Sequence, residues 1–519
     1  MYLKTGHRRP KRQFKPINAF IIAVMALGSL GYGYSASIIS TTLAQPSFYT
    51  YFDLAARSNE NDVIGLMNSL YQAGGFLGTF TVAYSCDRWG RRAGIAIPAL
   101  LILIMGVLLA ASVNLAMFIA CRFWAGWASY MVISACPVWM TEVVPARNRG
   151  SLVAVNGASL IAGFCLAGWV GYGFWHLPDT NNWQWRGPML LQCLPVAILL
   201  PCMYWLPESP RWLIIQGREE EAARVLNMLH TPEEAIHEFQ QIKAQTEVEI
   251  RLDSSYWALF TKPSYRKRCM LAFTTTVGIQ FCGPILIANY GPTLYKSLGF
   301  DANKQFVYQC GWLTLAFGGG LLSLFVVDTM PRPILLAGGI AFCLGCLSIE
   351  AALVATYAST PEKLAQPNEA ALKAAVAMFY IFIVVFEATL DSGRFVYLGE
   401  LFPTHLRAKG ISFGISGVNL INIVWLQVAP TAFANIGWKF YLVLIIPGMA
   451  FATLIFFWCP NTKGMPLEEI AELFGDEVHH AGRPSPGEEM HASTEHEYSG
   501  KRAEVPGEVV HEHVELQSV

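Results

Sequence analysis

Glu387, Asp391 and Arg394 stand inside an apolar run, spaced so that one face of a helix would carry all three. A lone charge in the middle of a bilayer costs about 2.5–3.5 kcal/mol, so such residues pair with one another, line water, or handle a proton or a charged substrate. Two readings stay open here. Asp391 and Arg394 could form an ion pair that fixes their helix, or Glu387, Asp391 and Arg394 could form a proton or substrate charge site. Glu350, in the preceding apolar run, is a further candidate of this kind. A second set is neutral. The stretch GIQFCGPILIANYGPTLY, 278–295, is apolar enough to cross a membrane, yet it carries the amides of Gln280 and Asn289 beside Tyr290 and is interrupted by Gly283-Pro284 and Gly291-Pro292. Broken helices with polar side chains are how membrane transporters expose groups to a solute.

These residues need a membrane-spanning frame, and the composition supplies one. Of 519 residues, 54% are hydrophobic and only 14% charged, and mean hydropathy is +0.38. The net charge of -1 gives no reason to expect nucleic acid as a partner. The 12 cysteines are scattered through apolar runs, which suits small buried hydrophobes rather than a disulfide framework. No cleavable leader is apparent, because the first apolar run is too long. No nucleophile–base set, metal cluster or phosphate loop stands out, so the chain does not read as an enzyme and no cofactor is expected. The expected fold is an all-α membrane protein of about twelve spans. Six fall near 17–41, 63–85, 93–112, 115–137, 151–172 and 188–206, and six near 268–295, 306–327, 334–357, 371–399, 411–433 and 438–459.

The organisation follows: a segment 1–16, a six-helix half 17–206, a linker 207–267, a second half 268–459 and a tail 460–519. Lys and Arg crowd the first segment and the loops after the second and fourth spans, which places both termini in the cytoplasm. The linker reads as short helices with polar faces bridging the halves. The tail opens on one amphipathic helix, LEEIAELF, and then becomes disordered, with solvated histidines. The halves echo each other. Glu142, Pro145 and Arg149 recur in spacing as Glu400, Pro403 and Arg407, and Asp87 and Arg91 recur as Asp328 and Arg332. Acid and base repeating together at fixed offsets predict a charged network at one end of the bundle, able to clasp the halves in one state and release them in another.

At DRWGRR (87–92), PVWMTEVVPARNRG (137–150), PESPRWLIIQGREEEAARVL (207–226), GELFPTHLRAKG (399–410) and PNTKGMPLEEIAELF (460–474) the chain resembles the sugar-porter branch of the major facilitator superfamily, in its fungal-like form. The resemblance runs from about 20 to 474. It implies two six-helix repeats, alternating access, and a central site built mainly by the seventh helix with help from the fifth, tenth and eleventh. The gating network it implies comprises Asp87, Arg88, Arg91, Arg92, Glu142, Arg149, Glu208, Arg211, Asp328, Arg332, Glu400 and Arg407.

The chain departs from the pattern where solute is bound. Of the seventh-helix ligands only Gln280, Gly283 and Tyr290 match; the family's fifth-helix Gln falls near Gly157, beside Asn156. The tenth helix reads Leu390-Asp391-Ser392 instead of Trp-Gly-Pro, and the eleventh reads Val418-Asn419 instead of Asn-Trp, with Asn422 one turn on. Proton-coupled members carry an Asp in the first helix; Ser35 stands there, while its usual partner Arg122 remains. The candidate substrate residues are therefore Gln280, Asn289, Tyr290, Asn156, Asn419 and Asn422, and the charge site is Asp391, Glu387, Arg394 and Arg122. The expected function is a monomeric, multi-pass plasma-membrane transporter of a sugar, polyol or similar hydroxylated solute, by uniport or proton symport. A carrier of organic acids or secondary metabolites on the same fold, and a nutrient sensor without flux, are the alternatives.

Overall fold

The computed structural model describes residues 16–143, 149–250, 255–358, 360, 363, 368–403, 405–465 and 467–476. The amino-terminal basic residues, Pro145, the side chain of Arg149, and the histidine-rich tail lie outside the described residues. Helix is the only regular structure among those described, as a bilayer demands of segments that must satisfy their own backbone groups.

The membrane helices are α1 (Pro16–Thr42), α2 (Glu60–Trp89), α3 (Arg91–Ala110), α4 (Leu115–Val143), α5 (Arg149–Trp175) and α6 (Trp183–Leu191 continued by Cys193–Trp205). The second half supplies α7 (Pro263–Gln280 and Pro284–Ser297), α8 (Ala302–Val326), α9 (Arg332–Tyr357), α10 (Glu369–Leu401), α11 (Arg407–Ile436) and α12 (Phe440–Trp458). Ten stretches are long and apolar enough to span; one of them, Arg407–Trp458, is the pair α11 and α12 joined by a short turn. Only α2 misses that criterion. Its Asn68, Ser69 and Gln72 make it more polar, and all three are buried.

The start of α1 and the end of α12 lie at one end of the bundle, the terminal end; the opposite end is called distal. Close helix crossings depend on glycine. A Cβ on Gly74 would stand 2.0 Å from the Phe123 carbonyl oxygen, and one on Gly126 would stand 2.0 Å from that of Tyr71, so α2 and α4 touch backbone to backbone. The halves meet through α2 on α11, α5 on α8, and α1 on the second segment of α7. The principal contacts of α4 and α10 stay within their own halves. One apolar cluster crosses between halves, packing Tyr34, Phe48 and Trp185 with Leu286, Tyr290, Trp425 and Leu426 at the distal end.

The linker folds as helices Pro210–Ile215, Glu219–Leu229 and Pro232–Ile250. The first seals the terminal end of the first half, where the Trp212 indole N–H donates to the Asp87 carbonyl at 2.9 Å. The expected tail helix forms as Leu467–Leu473. It is pinned to the start of α7: Arg268 pairs with Asp476 at 2.5 Å and lies over the Phe474 ring at 4.6 Å.

Candidate solute site and its gates

The seventh helix is broken where the sequence suggested. Gly283 adopts φ +71°, ψ 30°, a left-handed conformation that glycine enters without steric penalty, and Pro284 starts the second segment. Thr276 and Phe273 contact Gly417 of α11, and one helical level further on Phe281 packs edge-on against Trp425 at 5.1 Å. Those two contacts set the register and bring Gln280 to the level of Asn419 and Asn422. Gln280 Oε1, both amide atoms of Asn419, Asn422 Oδ1 and the Trp425 indole N–H are buried and have no hydrogen-bond partner in the protein. Buried polar groups are nearly always satisfied, and these unpartnered donors and acceptors fall on two helices that pack together.

The first half offers aromatic faces and few free amides. Tyr32 meets Tyr130 edge-on at 5.2 Å, and the Tyr130 hydroxyl donates to Gln72 Oε1 at 2.7 Å. Asn156 is engaged within its own half, accepting from Ser29. A Cβ on neighbouring Gly157 would meet nothing within 4 Å.

Charge enters through α10, whose turn Phe386–Asp391 is π-helical. Such wide turns occur mostly as single insertions at functional sites. Of the two readings open in the sequence, the ion pair forms: Arg394 and Asp391 are 2.5 Å apart. Glu387 Oε2 and Arg394 Nε remain buried without partners. Arg122 has a different setting, over the Tyr71 ring at 4.3 Å.

Asn289 and Tyr290 sit in the distal closure. The Asn289 amide donates to its own helix at the Ile285 carbonyl, 3.0 Å. The Tyr290 hydroxyl donates to the Leu426 carbonyl at 2.7 Å and accepts from Asn68 Nδ2 at 3.0 Å, so it joins α7, α11 and α2. Leu426 has a free carbonyl because Pro430, four residues on in α11, has no N–H to give it. The Tyr290 hydroxyl, which the sequence assigned to solute, is thus taken up by contacts to two other helices at the distal end. Around it Ser69 donates to Gln427 at 2.7 Å, Thr431 to Asp62 at 2.9 Å, Trp169 to Thr314 at 3.1 Å and Tyr172 to Asn303 at 2.9 Å.

At the terminal end the charged repeat becomes two matching clamps. Arg91 takes Glu142 in a fork, 2.9 and 3.1 Å, and Asp87 at 3.0 Å. Arg332 takes Glu400 at 3.1 and 2.8 Å and Asp328 at 3.1 Å. Planar bidentate pairs of this kind are strong and directional. Each clamp is capped after the last span of its half: Glu208 accepts from the Arg91 N–H at 2.9 Å, and Asn461 from the Arg332 N–H at 3.2 Å. Burial raises the Glu208 carboxyl above the usual range, with N–H bonds from Ser209, Arg92 and Arg91 pulling the other way. Asn461 and Thr462, which donates to Glu400 at 2.6 Å, were missed in the sequence. Their signal was present: Pro460-Asn461-Thr462 follows α12 as Pro207-Glu208-Ser209 follows α6.

The clamps correct one expectation. They tie helices together within each half; the described ion pairs at Arg91 and Arg332 do not cross between halves. The remaining expected gate residues sit around them. Arg92 donates to the Met203 and Tyr204 carbonyls, Arg407 to the Phe402 carbonyl, and Arg88 is exposed. Arg211 is placed in the helix that seals the first half.

Comparisons with known proteins agree with this architecture. The sequence profile of a family described as "Sugar (and other) transporter" matches residues 21–474. MFS-type transporter criB of Aspergillus cristatus is 28% identical over 453 residues, covering 86% of this chain and 90% of that protein. The high-affinity glucose transporter of Kluyveromyces lactis is 27% identical over 487 residues, covering 89% and 86%. The inward-open xylose transporter XylE from E. coli superposes with a TM-score of 0.73 at 23% identity, over 88% of this chain and 99% of that one. The chain is a multi-pass membrane transporter of the major facilitator fold and belongs to the sugar (and other) transporter family.

Proposed function

We propose that the protein carries a sugar or closely related polyhydroxylated solute across a membrane by alternating access, with Gln280, Asn419 and Asn422 as its principal ligands. One observation carries the reading: unpartnered amide and indole groups lie buried on α7 and on α11, two helices that pack against each other. A solute covered in hydroxyls both donates and accepts, and so satisfies Gln280 Oε1, Asn419, Asn422 Oδ1 and the Trp425 N–H together. Phe281, Tyr32 and Tyr130 supply rings for its C–H faces. Relatives named as glucose transporters, from Kluyveromyces lactis and Staphylococcus epidermidis, support the same solute class. The organic-acid alternative loses one of its two cationic partners, because Arg394 is already neutralised by Asp391, which leaves Arg122.

The same reasoning assigns coupling to Glu387. Asp391 is held by Arg394, whereas Glu387 keeps a free carboxyl oxygen on the π-helical turn. The closed distal end then faces outward, with a monomer in the plasma membrane and both termini in the cytoplasm, as the basic loops favour. The experiment is uptake of labelled D-glucose into proteoliposomes of the purified protein, with and without an imposed proton gradient. Saturable uptake that unlabelled hexoses compete supports the reading. No uptake of hexoses or polyols by folded protein refutes it.

A further inference from the structure

Arg122 is 1% exposed, deep within the first half. Its Nε reaches the Met67 carbonyl at 3.4 Å and one terminal nitrogen reaches the Ser35 carbonyl at 3.2 Å. Both contacts are long and both acceptors are neutral. Among the described residues no carboxylate stands close enough to balance the guanidinium. Beside it, the Tyr71 hydroxyl lies next to Ser35 and Ser129. Tyr71 is 1% exposed and the two serines 0%, yet none of the three hydroxyl oxygens completes a hydrogen bond.

We propose that this pocket binds a small monovalent anion, chloride, between the Arg122 guanidinium and the hydroxyls of Ser35, Tyr71 and Ser129. The donor set dictates the class. A guanidinium donates only, and each hydroxyl can turn its proton toward an acceptor, so four groups from α1, α2 and α4 can all donate and none of them carries a negative charge. A cation is repelled. Water satisfies the hydroxyls but leaves the buried charge unbalanced, and buried charges are paired. A spherical anion does both. The assignment is independent of which solute is carried.

The test is thermal unfolding of the purified full-length protein without solute, titrating sodium chloride against sodium gluconate at constant ionic strength. A ligand of the folded state raises the midpoint with saturation. Wild-type protein is expected to respond to chloride and to bromide but not to gluconate. Ser35→Asp places a carboxylate beside Arg122 and is expected to be stabilised in gluconate and blind to chloride. Ser129→Ala is expected to raise the half-saturating chloride about tenfold. Equal wild-type midpoints in chloride and gluconate overturn the proposal, as does an undiminished chloride response in Ser35→Asp. If that variant does not fold, an unchanged half-saturation in Ser129→Ala overturns it instead.

Discussion

Replacing Tyr290 by Phe removes one oxygen and keeps the ring packed among Leu286, Trp425 and Leu426. Two hydrogen bonds disappear, one to the Leu426 carbonyl and one from Asn68. Asn68 keeps a weaker bond to the Ile64 carbonyl at 3.3 Å. The Leu426 carbonyl keeps nothing from its own helix, because Pro430 stands where the donor should be. Stranding one buried acceptor and losing a second bond costs about 1–3 kcal/mol. Only the Asn68 bond, worth about 0.5–1.5 kcal/mol, is specific to the distally closed state, since opening separates α7 and α11 from α2 while the Leu426 bond lies within the second half. Every 1.4 kcal/mol is about a factor of ten, so the open-to-closed ratio should rise about 2- to 12-fold. Spin labels at exposed Ser58 and Asn435, near the distal ends of α2 and α11, would report it as a longer distance population in Tyr290→Phe. Unchanged populations together with a weakened solute affinity would refute the gate assignment and return Tyr290 to the solute site.

Three further outcomes follow from the same geometry. Gln280→Ala should lower apparent sugar affinity about 5- to 30-fold with normal expression, measured as the half-saturation of uptake, because it deletes an amide with no structural partner. Glu387→Gln should remove the response of uptake to a proton gradient while leaving exchange of solute intact; a persisting response would move coupling elsewhere. Glu142→Gln should slow turnover about tenfold with little change in solute affinity, since it weakens the fork on Arg91 at a distance from the site; a pure affinity loss would count against a gating role.

Much of this was legible in the chain because it is written in spacing. Asp87, Arg91 and Glu142 repeat as Asp328, Arg332 and Glu400, and the two forks match atom for atom. The break at Gly283-Pro284 was legible because only glycine and proline do that locally. Other features depend on partners far away in the sequence. Tyr290 reads as a cavity residue until Leu426, 136 positions on, is seen to need a donor. The π-helical turn is a shift of hydrogen-bond register that no apolar periodicity announces. The Asn461 cap was hidden by a change from carboxylate to amide: Glu208 and Asn461 do the same work on a backbone N–H, but only one of them looks like part of a charge network.

Clamps that act within each half change how the switch must work. Forks at Arg91 and Arg332 stiffen the halves into bodies, so the free energy of switching is concentrated where the bodies touch. At the distal end those contacts combine the apolar cluster around Phe48, Trp185, Leu286 and Trp425 with hydrogen bonds across the halves that include Asn68–Tyr290, Ser69–Gln427, Gln427–Asp62, Thr431–Asp62, Trp169–Thr314 and Tyr172–Asn303. At about 0.5–1.5 kcal/mol each, and less for those near the surface, these six bonds add roughly 3–9 kcal/mol to the closure beyond its apolar burial. Moving a two-state equilibrium from one side to the other takes about 5.5 kcal/mol of differential binding. A solute that fills the unpartnered groups of α7 and α11 in one state better than in the other gains energy of that order. The hydrogen-bonded share of the closure is small enough for a sugar to tip, and the apolar cluster sets how far the closed state is favoured without one.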